Sequence, residues 1–331
     1  GGLAPFRLPA TARETGRIPR QAVFARIALA PGGDRLYALD LSEARILNVR
    51  TDEFRVEEER EVAPQVTAMT LAPAGGALWI CGRRPDMAKN GAGRWAGFVQ
   101  KFALPGLTPG DPIPIDVAGL DLVATDADLV VVAGEADVVL VDGRRREVIG
   151  SGRTPTAVLA LDPAQGWVYG IDPQRREFAE GPIGGFRPQF STLKRVASPV
   201  GGTGADLAVS TGGLWLLGTG GSAVSLVAEH GKARIERTID PVLSFAAVPG
   251  HLAVVGCDFD GTLSVLDAIT LESLGRVPCG VALRQFVVDG GRRRVYGQAL
   301  RTPIPAAGRE AFQRKPGPRL ADLVAIALEE R

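Results

Sequence analysis

Apolar and polar positions alternate in short runs along most of the chain, and one module recurs: an apolar strand, a tight turn, then a second apolar strand. It reads FARIALAPGGDRLYALD from Phe24, VTAMTLAPAGGALWICG from Val66, DLVATDADLVVVAG from Asp121 and TAVLALDPAQGWVYGID from Thr156. It returns as DLAVSTGGLWLLGTG from Asp206, SFAAVPGHLAVVGC from Ser244 and RQFVVDGGRRRVYGQ from Arg284. The second strand is the more apolar, as in ALWICG, LVVVAG and LAVVGC, which is the pattern of a strand covered on both faces. A third strand follows in several copies (ARILNVR, ADVVLVD, SAVSLVA, TLSVLD), and a fourth, more polar one lies outermost. Helical spacing occurs at the end of the chain, where Leu320, Leu323, Val324 and Leu328 recur after Pro316 and Pro318.

Repeats of roughly 40 residues, each built of short strands, predict the blades of a β-propeller. The expectation is an all-β, seven-bladed β-propeller over residues 1–318, closed by an N-terminal outer strand, with a short C-terminal helix in a tail over 319–331. The closure rests on TGRIPRQ (15–21), which echoes LGRVPCG (274–280). Residues 5–19 are thus an outer strand with no inner strands before it, and their place is the blade begun by residues 284–299, whose open edge they cover. Composition agrees: among 331 residues, 42 Gly and 24 Pro supply the many turns such a ring needs.

The segment GTLSVLDAITLESLGRVPCG (261–280) resembles the YVTN-type propeller repeat, in which a VSVID-like strand is followed by a short turn and a VVATIPVG-like strand. The matching pieces are Leu263–Asp267 and Leu274–Pro278, and ADVVLVDGRRREVIGSGRTP (136–155) is a weaker copy. WD40 repeats share the architecture, but their Gly-His and Trp-Asp signatures are absent. The resemblance implies a fold rather than an activity, since propellers host many unrelated functions. Related propellers include quinoprotein-type dehydrogenase subunits and lactone hydrolases.

Charge and chemistry narrow the picture a little. With 38 Lys plus Arg against 37 Asp plus Glu, net charge is +1, so nothing electrostatic points to nucleic acid or an anionic membrane. Gly1 in place of Met reads as a processed or excised start, so the lack of a secretory signal says little about compartment; the expectation is cytoplasmic, with periplasm and secretion left open. Cys81, Cys257 and Cys279 are too few for a disulfide framework; a Cys257–Cys279 bridge stays open but has no support from spacing. His230 and His251 have no second ligand candidate nearby, so no metal is expected. No cofactor and no catalytic residue are expected either: no nucleophile elbow, phosphate loop or haem motif occurs. Asp258-Phe259-Asp260-Gly261 resembles part of a calcium loop, but a hairpin turn is the simpler reading. Trp79, Trp167 and Trp215, all in second strands, read as packing between blades.

Two sets of residues remain as site candidates. Overlaying the repeats aligns Arg26, Ala68, Asp121, Val158, Asp206, Ser244 and Arg284 where the inner strands start. Arg26, Asp121, Asp206, Ser244 and Arg284 would then face one another at the mouth of the central channel, either gripping a small anionic ligand or neutralising one another. The insertion RRPDMAKNGAGRWAGF (83–98) offers Arg83, Arg84, Arg94 and Trp95, residue types favoured at protein interfaces. A second irregular stretch, 172–199, carries Phe178, Phe186 and Phe190 among arginines. The expected function is a non-catalytic interaction or sensing module within a larger complex or multidomain protein, with a protein partner. The alternative is an enzyme or enzyme subunit, quinoprotein-dehydrogenase-like or lactonase-like, with Asp121 and Asp206 as acid–base groups and Arg26 and Arg284 as the anion grip.

Overall fold

A computed structural model describes Phe6 and residues 9–84, 96–134, 137–153, 158–172, 177–183, 205–210, 213–218, 223–228, 232–238, 242–270, 272–307, 309 and 319–329. The first strand is β1 (Thr11–Ala22). A four-stranded sheet follows in the order β2 (Phe24–Leu29), β3 (Arg35–Asp40), β4 (Arg45–Arg50), β5 (Arg55–Glu61). The next runs from β6 (Val66–Leu71) through β7 (Ala77–Arg83) to β8 (Gly97–Ala103), whose far side holds the short β9 (Thr108–Pro109) and β10 (Ile113–Ile115). Then come β11 (Asp121–Ala124), β12 (Leu129–Ala133), β13 (Asp137–Asp142) and β14 (Glu147–Arg153) as one sheet. A three-stranded sheet holds β15 (Val158–Asp162), β16 (Trp167–Asp172) and β17 (Glu177–Pro182). Four strands each make the sheets β18 (Ala205–Ser210), β19 (Gly213–Gly218), β20 (Ala223–Ala228), β21 (Lys232–Thr238) and β22 (Val242–Ala247), β23 (Ala253–Asp258), β24 (Thr262–Asp267), β25 (Ser273–Pro278). The last sheet runs β26 (Leu283–Asp289), β27 (Arg294–Leu300), β28 (Ala321–Glu329), with β1 outermost. Among the described residues the strands therefore pair into seven sheets, and the fold is an all-β propeller.

The chain divides into two compact units, one of Gly1–Ile27, Arg50–Arg55 and Ser198–Arg331, the other of Ala28–Val49 and Val56–Ala197. In the second unit, β7 is buried along nearly its whole length, as its unbroken ALWIC run requires. The outer β5, RVEEERE, alternates exposed and half-buried positions, and Arg45 of β4 ion-pairs with its Glu59 at 3.0 Å and Glu61 at 3.2 Å. Trp79 is fully buried at the centre of this unit's core with Val130, Val132 and Val141 of the adjoining sheet. A Cβ on Gly143 would lie 2.3 Å from the Trp79 ring, so only glycine fits there. Trp79 thus packs between sheets, as read from the sequence.

A short device repeats at strand ends. Asp40, Asp142, Asp162 and Asp267 each close a strand and accept backbone N–H bonds from the two or three residues that follow, at 2.8–3.2 Å. Such a carboxylate satisfies the amides of a tight turn that the sheet leaves open. This gives the closing Asp of LSVLD its physical role. Burial tends to raise the Asp267 carboxyl pKa, but the amides of Thr270 and Ile269 outweigh it and hold the group below its ordinary value.

The first unit corrects one expectation. Residues 319–331 do not form a helical tail: residues 321–329 are β28, antiparallel to both β27 and β1. ADLVAIALE is buried on both faces from Ala321 to Ile326, so it has apolar residues at nearly every position and contains a 3–4 spacing by default. The N-terminal strand does cover this sheet, with Thr11 opposite Glu329 and Ala22 opposite Ala321, but it pairs to β28. Asp322 secures the junction. Its carboxylate accepts from Arg17 Nη1 (3.1 Å), Arg301 Nε (3.0 Å) and the Gln21 amide (3.3 Å).

Candidate functional site

Backbone irregularity at the inner-strand starts decides where the side chains there point. Val66 pairs with Gly82 and Ala68 with Cys81, which leaves Thr67 as an extra residue in β6. The same shift leaves Leu243 extra in β22, between the pairs Val242–Asp258 and Ser244–Cys257. In β26 it falls between Leu283 and Phe286, at Arg284 and Gln285. A β-bulge at a strand end re-aims one side chain out of the alternating order.

Four polar side chains at these starts grip the backbone of the neighbouring inner strand or the residues just before it. In the second unit, Thr67 Oγ1 donates to the Gly119 carbonyl at 2.6 Å. Asp121 is buried; its Oδ1 accepts the Leu122 amide at 2.9 Å and its Oδ2 the Leu159 amide at 2.8 Å. In the first unit, buried Ser244 donates its hydroxyl to the Leu283 carbonyl. Gln285 Oε1 accepts the Ile27 amide at 3.0 Å and is itself held by Gln298 Nε2 at 2.8 Å. These bonds satisfy backbone groups that a sheet's own ladder cannot reach, and so stitch sheet to sheet.

Asp121 and Ser244 thus each bond to backbone groups of a neighbouring strand. Arg26 and Arg284 are both half-buried, in β2 and β26. Burial pushes the Arg284 guanidinium pKa down, and the neighbouring charge of Arg319 adds to this. Its Nη1 is buried without a hydrogen-bond partner among the described residues, so it keeps an uncommitted donor. Asp206 lies in β18, and its side chain is outside the described residues. Sequence overlay missed Thr67 and Gln285, naming Ala68 and Arg284 in their place; both lie at bulges, whereas the bulge in β22 leaves the clamp at the aligned Ser244.

The 83–98 insertion leaves β7 and returns in β8. Arg83 sits opposite Gly97, and the Arg84 amide donates to the Ala96 carbonyl at 3.0 Å, closing the base of the loop. Since Val66 opposes Gly82, the loop emerges at the end of the sheet where β6 begins. Arg94 and Trp95 lie outside the described residues, as do Phe186, Phe190 and the side chain of Phe178. His251 packs edge-on against Phe6, with ring centroids 5.4 Å apart; His230 is outside the described residues. The Asp258–Gly261 turn is a hairpin, in which Asp258 Oδ1 accepts the amides of Asp260 (2.9 Å) and Thr262 (2.8 Å) while Oδ2 pairs with Arg276 at 3.0 Å. Among the described residues no group of three or more His, Cys, Asp or Glu side chains is placed to hold a metal ion. No helix among them is long and apolar enough to cross a membrane.

No family model matches the chain. No curated protein matches it either. Solved structures do. The crystal structure of RRP9 WD40 repeats superposes with a TM-score of 0.68 at 10% identity, covering 97% of this chain and 99% of that one. The structure of U3-55K gives 0.67 at 11% identity, over 96% and 99%. The chain is thus a β-propeller similar in fold to WD40 propellers.

Proposed function

We propose that this propeller is a non-catalytic protein-interaction module acting within a larger complex or multidomain protein. The observation that carries the reading is the engagement of Asp121: both carboxylate oxygens accept buried backbone amides, which supports a structural role over an acid–base one. Ser244 is engaged in the same way. The likeness to WD40 propellers supports the fold on which such a platform is built. The partner docks on the end of the molecule that carries the 83–98 loop, with Trp95 as its apolar anchor and Arg83, Arg84 and Arg94 around it. We extend the reading to a cytoplasmic location. We propose further that each of the seven sheets is one blade and that the repeats are YVTN-like; the Asp caps that close the LSVLD and VVLVD strands support the second point.

The test is co-purification of the tagged full chain beside the Trp95→Ala and Arg83→Ala/Arg84→Ala variants. The reading expects one protein at constant stoichiometry with the parent chain, reduced at least tenfold with the variants, while folding is unchanged. Recovery of the chain alone as a monomer overturns it. One observation favours a second reading, a ligand site at the channel mouth: the uncommitted Nη1 of Arg284 suits a carboxylate or phosphate. Under that reading Arg284→Gln abolishes anion binding measured by calorimetry, and partner binding is unaffected.

A further inference from the structure

Cys257 and Cys279 are 22 positions apart in sequence, yet the structure directs both sulfurs at one carbonyl. Cys257 is the penultimate residue of β23 and Cys279 directly follows β25, two strands away in the same sheet. The connector after β25 closes that distance. The amides of Cys279 and Gly280 donate to the Gly261 carbonyl at 2.8 and 3.1 Å, folding the chain over the β23–β24 turn. Gly261 has a φ of +79°, and a Cβ there would sit 2.5 Å from the Val281 amide, so its lack of a side chain lets the connector pass. The Val281 carbonyl then lies 3.4 Å from Cys279 Sγ and 3.8 Å from Cys257 Sγ, and the Leu283 amide donates to Cys257 Sγ at 3.3 Å. Both sulfurs thus converge on the Val281 carbonyl at one end of the sheet.

We propose that Cys257 and Cys279 form an oxidisable dithiol that a peroxide-class oxidant converts into an intramolecular disulfide. Cys279 is the attacking sulfur. It retains 8% exposure at the sheet end, whereas Cys257 has none. Interaction with the Cys257 thiol also holds the Cys279 thiol below its ordinary pKa against the effect of burial, while interaction with Cys279, and then burial, push Cys257 well up. The Cys279 thiolate attacks one peroxide oxygen, the O–O bond breaks, and hydroxide leaves and is protonated to water. The resulting Cys279 sulfenic acid is attacked by Cys257 sulfur as it gives up its proton; the S–O bond breaks and a second water departs. Two thiols lose two electrons and two protons, and the peroxide is reduced to two waters. The bond formed ties the end of β23 to the connector that leads into β26. Cys81 lies in the other unit and serves as an internal reference.

The test treats the folded full chain with hydrogen peroxide, quenches it, alkylates free thiols under denaturing conditions and digests with trypsin. Cys257 then lies in the peptide 238–276 and Cys279 in 277–284. The expected result is joint loss of alkylation at both cysteines and a linked peptide pair lighter by two hydrogens, restored by dithiothreitol, with Cys81 alkylated as before. Cys257→Ser should leave Cys279 as a sulfenic acid trapped by dimedone. Cys279→Ser should abolish both the link and the trapped product. If either substitution prevents folding, the parent chain and Cys81→Ser, which must retain the link, decide the matter. Oxidation of Cys279 without a link, a link to Cys81 or between chains, or no reaction under conditions that consume free cysteine overturns the proposal.

Discussion

Replacing Asp121 by alanine removes two acceptors at once from a dry position. Asp121 is 5% exposed, and the amides it holds belong to Leu122 (0%) and Leu159 (3%). The Leu122 bond is local; the Leu159 bond crosses from β11 to β15 between buried residues. A hydrogen bond to a charged group contributes about 1.5–3 kcal/mol, and an orphaned buried donor costs about 1–3 kcal/mol, so Asp121→Ala should destabilise by roughly 2–4 kcal/mol. Asn keeps one carbonyl acceptor, so Asp121→Asn should cost about half as much. At an unfolding entropy of about 2.1 cal/mol/K per residue, a 331-residue chain melting as one unit shifts by about 1–2 °C per kcal/mol, so the alanine variant should melt about 3–6 °C lower. Thermal scanning reads that shift. Amide hydrogen exchange locates it: protection at Leu159 should fall far more than protection in β12 or β13. Unchanged melting and unchanged Leu159 protection in Asp121→Ala would refute the clamp. A folded, equally stable variant that lost a turnover activity would return Asp121 to the role of acid–base group.

Further outcomes follow from other contacts. Burial tends to raise the Asp322 carboxyl pKa, but the bonds from Arg301, the Gln21 amide and Arg17 outweigh it and hold the group below its ordinary value. Its stabilising contribution is therefore present above the unfolded carboxyl pKa of about 3.9 and lost as pH falls through the lower folded value. Asp322→Asn should cost about 1–3 kcal/mol at neutral pH and flatten the loss of stability below about pH 4, as read by melting across a pH series. Gly143→Ala drives a methyl group to 2.3 Å from Trp79 and should destabilise by about 1–3 kcal/mol in denaturant titration. Ser244→Ala leaves the Leu283 carbonyl without its hydroxyl donor and should cost about 1 kcal/mol.

Strands were legible wherever a continuous apolar run set the face, as in β7 and β23. The Asp closing LSVLD and VVLVD was visible in the two repeat copies, though its reason, an amide-capping turn, is local geometry that repetition does not reveal. Helical spacing misled at β28 because a strand buried on both faces carries no periodicity to contradict it. At the inner-strand starts the residue types stood out but their partners did not. Asp121 and Ser244 bond to backbone supplied by the next strand, which is a tertiary fact. At two bulged starts the clamp is one residue off the overlay, Thr67 beside Ala68 and Gln285 beside Arg284, which a gap-free overlay cannot show. The Cys257–Cys279 pairing escaped for a similar reason, since it depends on a connector crossing Gly261.

The central claim, an interaction platform whose inner-strand polar residues are structural, meets its most direct test in one quantitative co-purification. The full chain, Asp121→Asn and Trp95→Ala are expressed at equal level in the native cell and captured below the melting temperature of each. The account predicts one protein partner at fixed stoichiometry with the parent chain, the same recovery with Asp121→Asn despite its lower stability, and at least a tenfold loss with Trp95→Ala. Monomeric recovery of the parent chain, or a partner lost with folded Asp121→Asn and kept with Trp95→Ala, would contradict it.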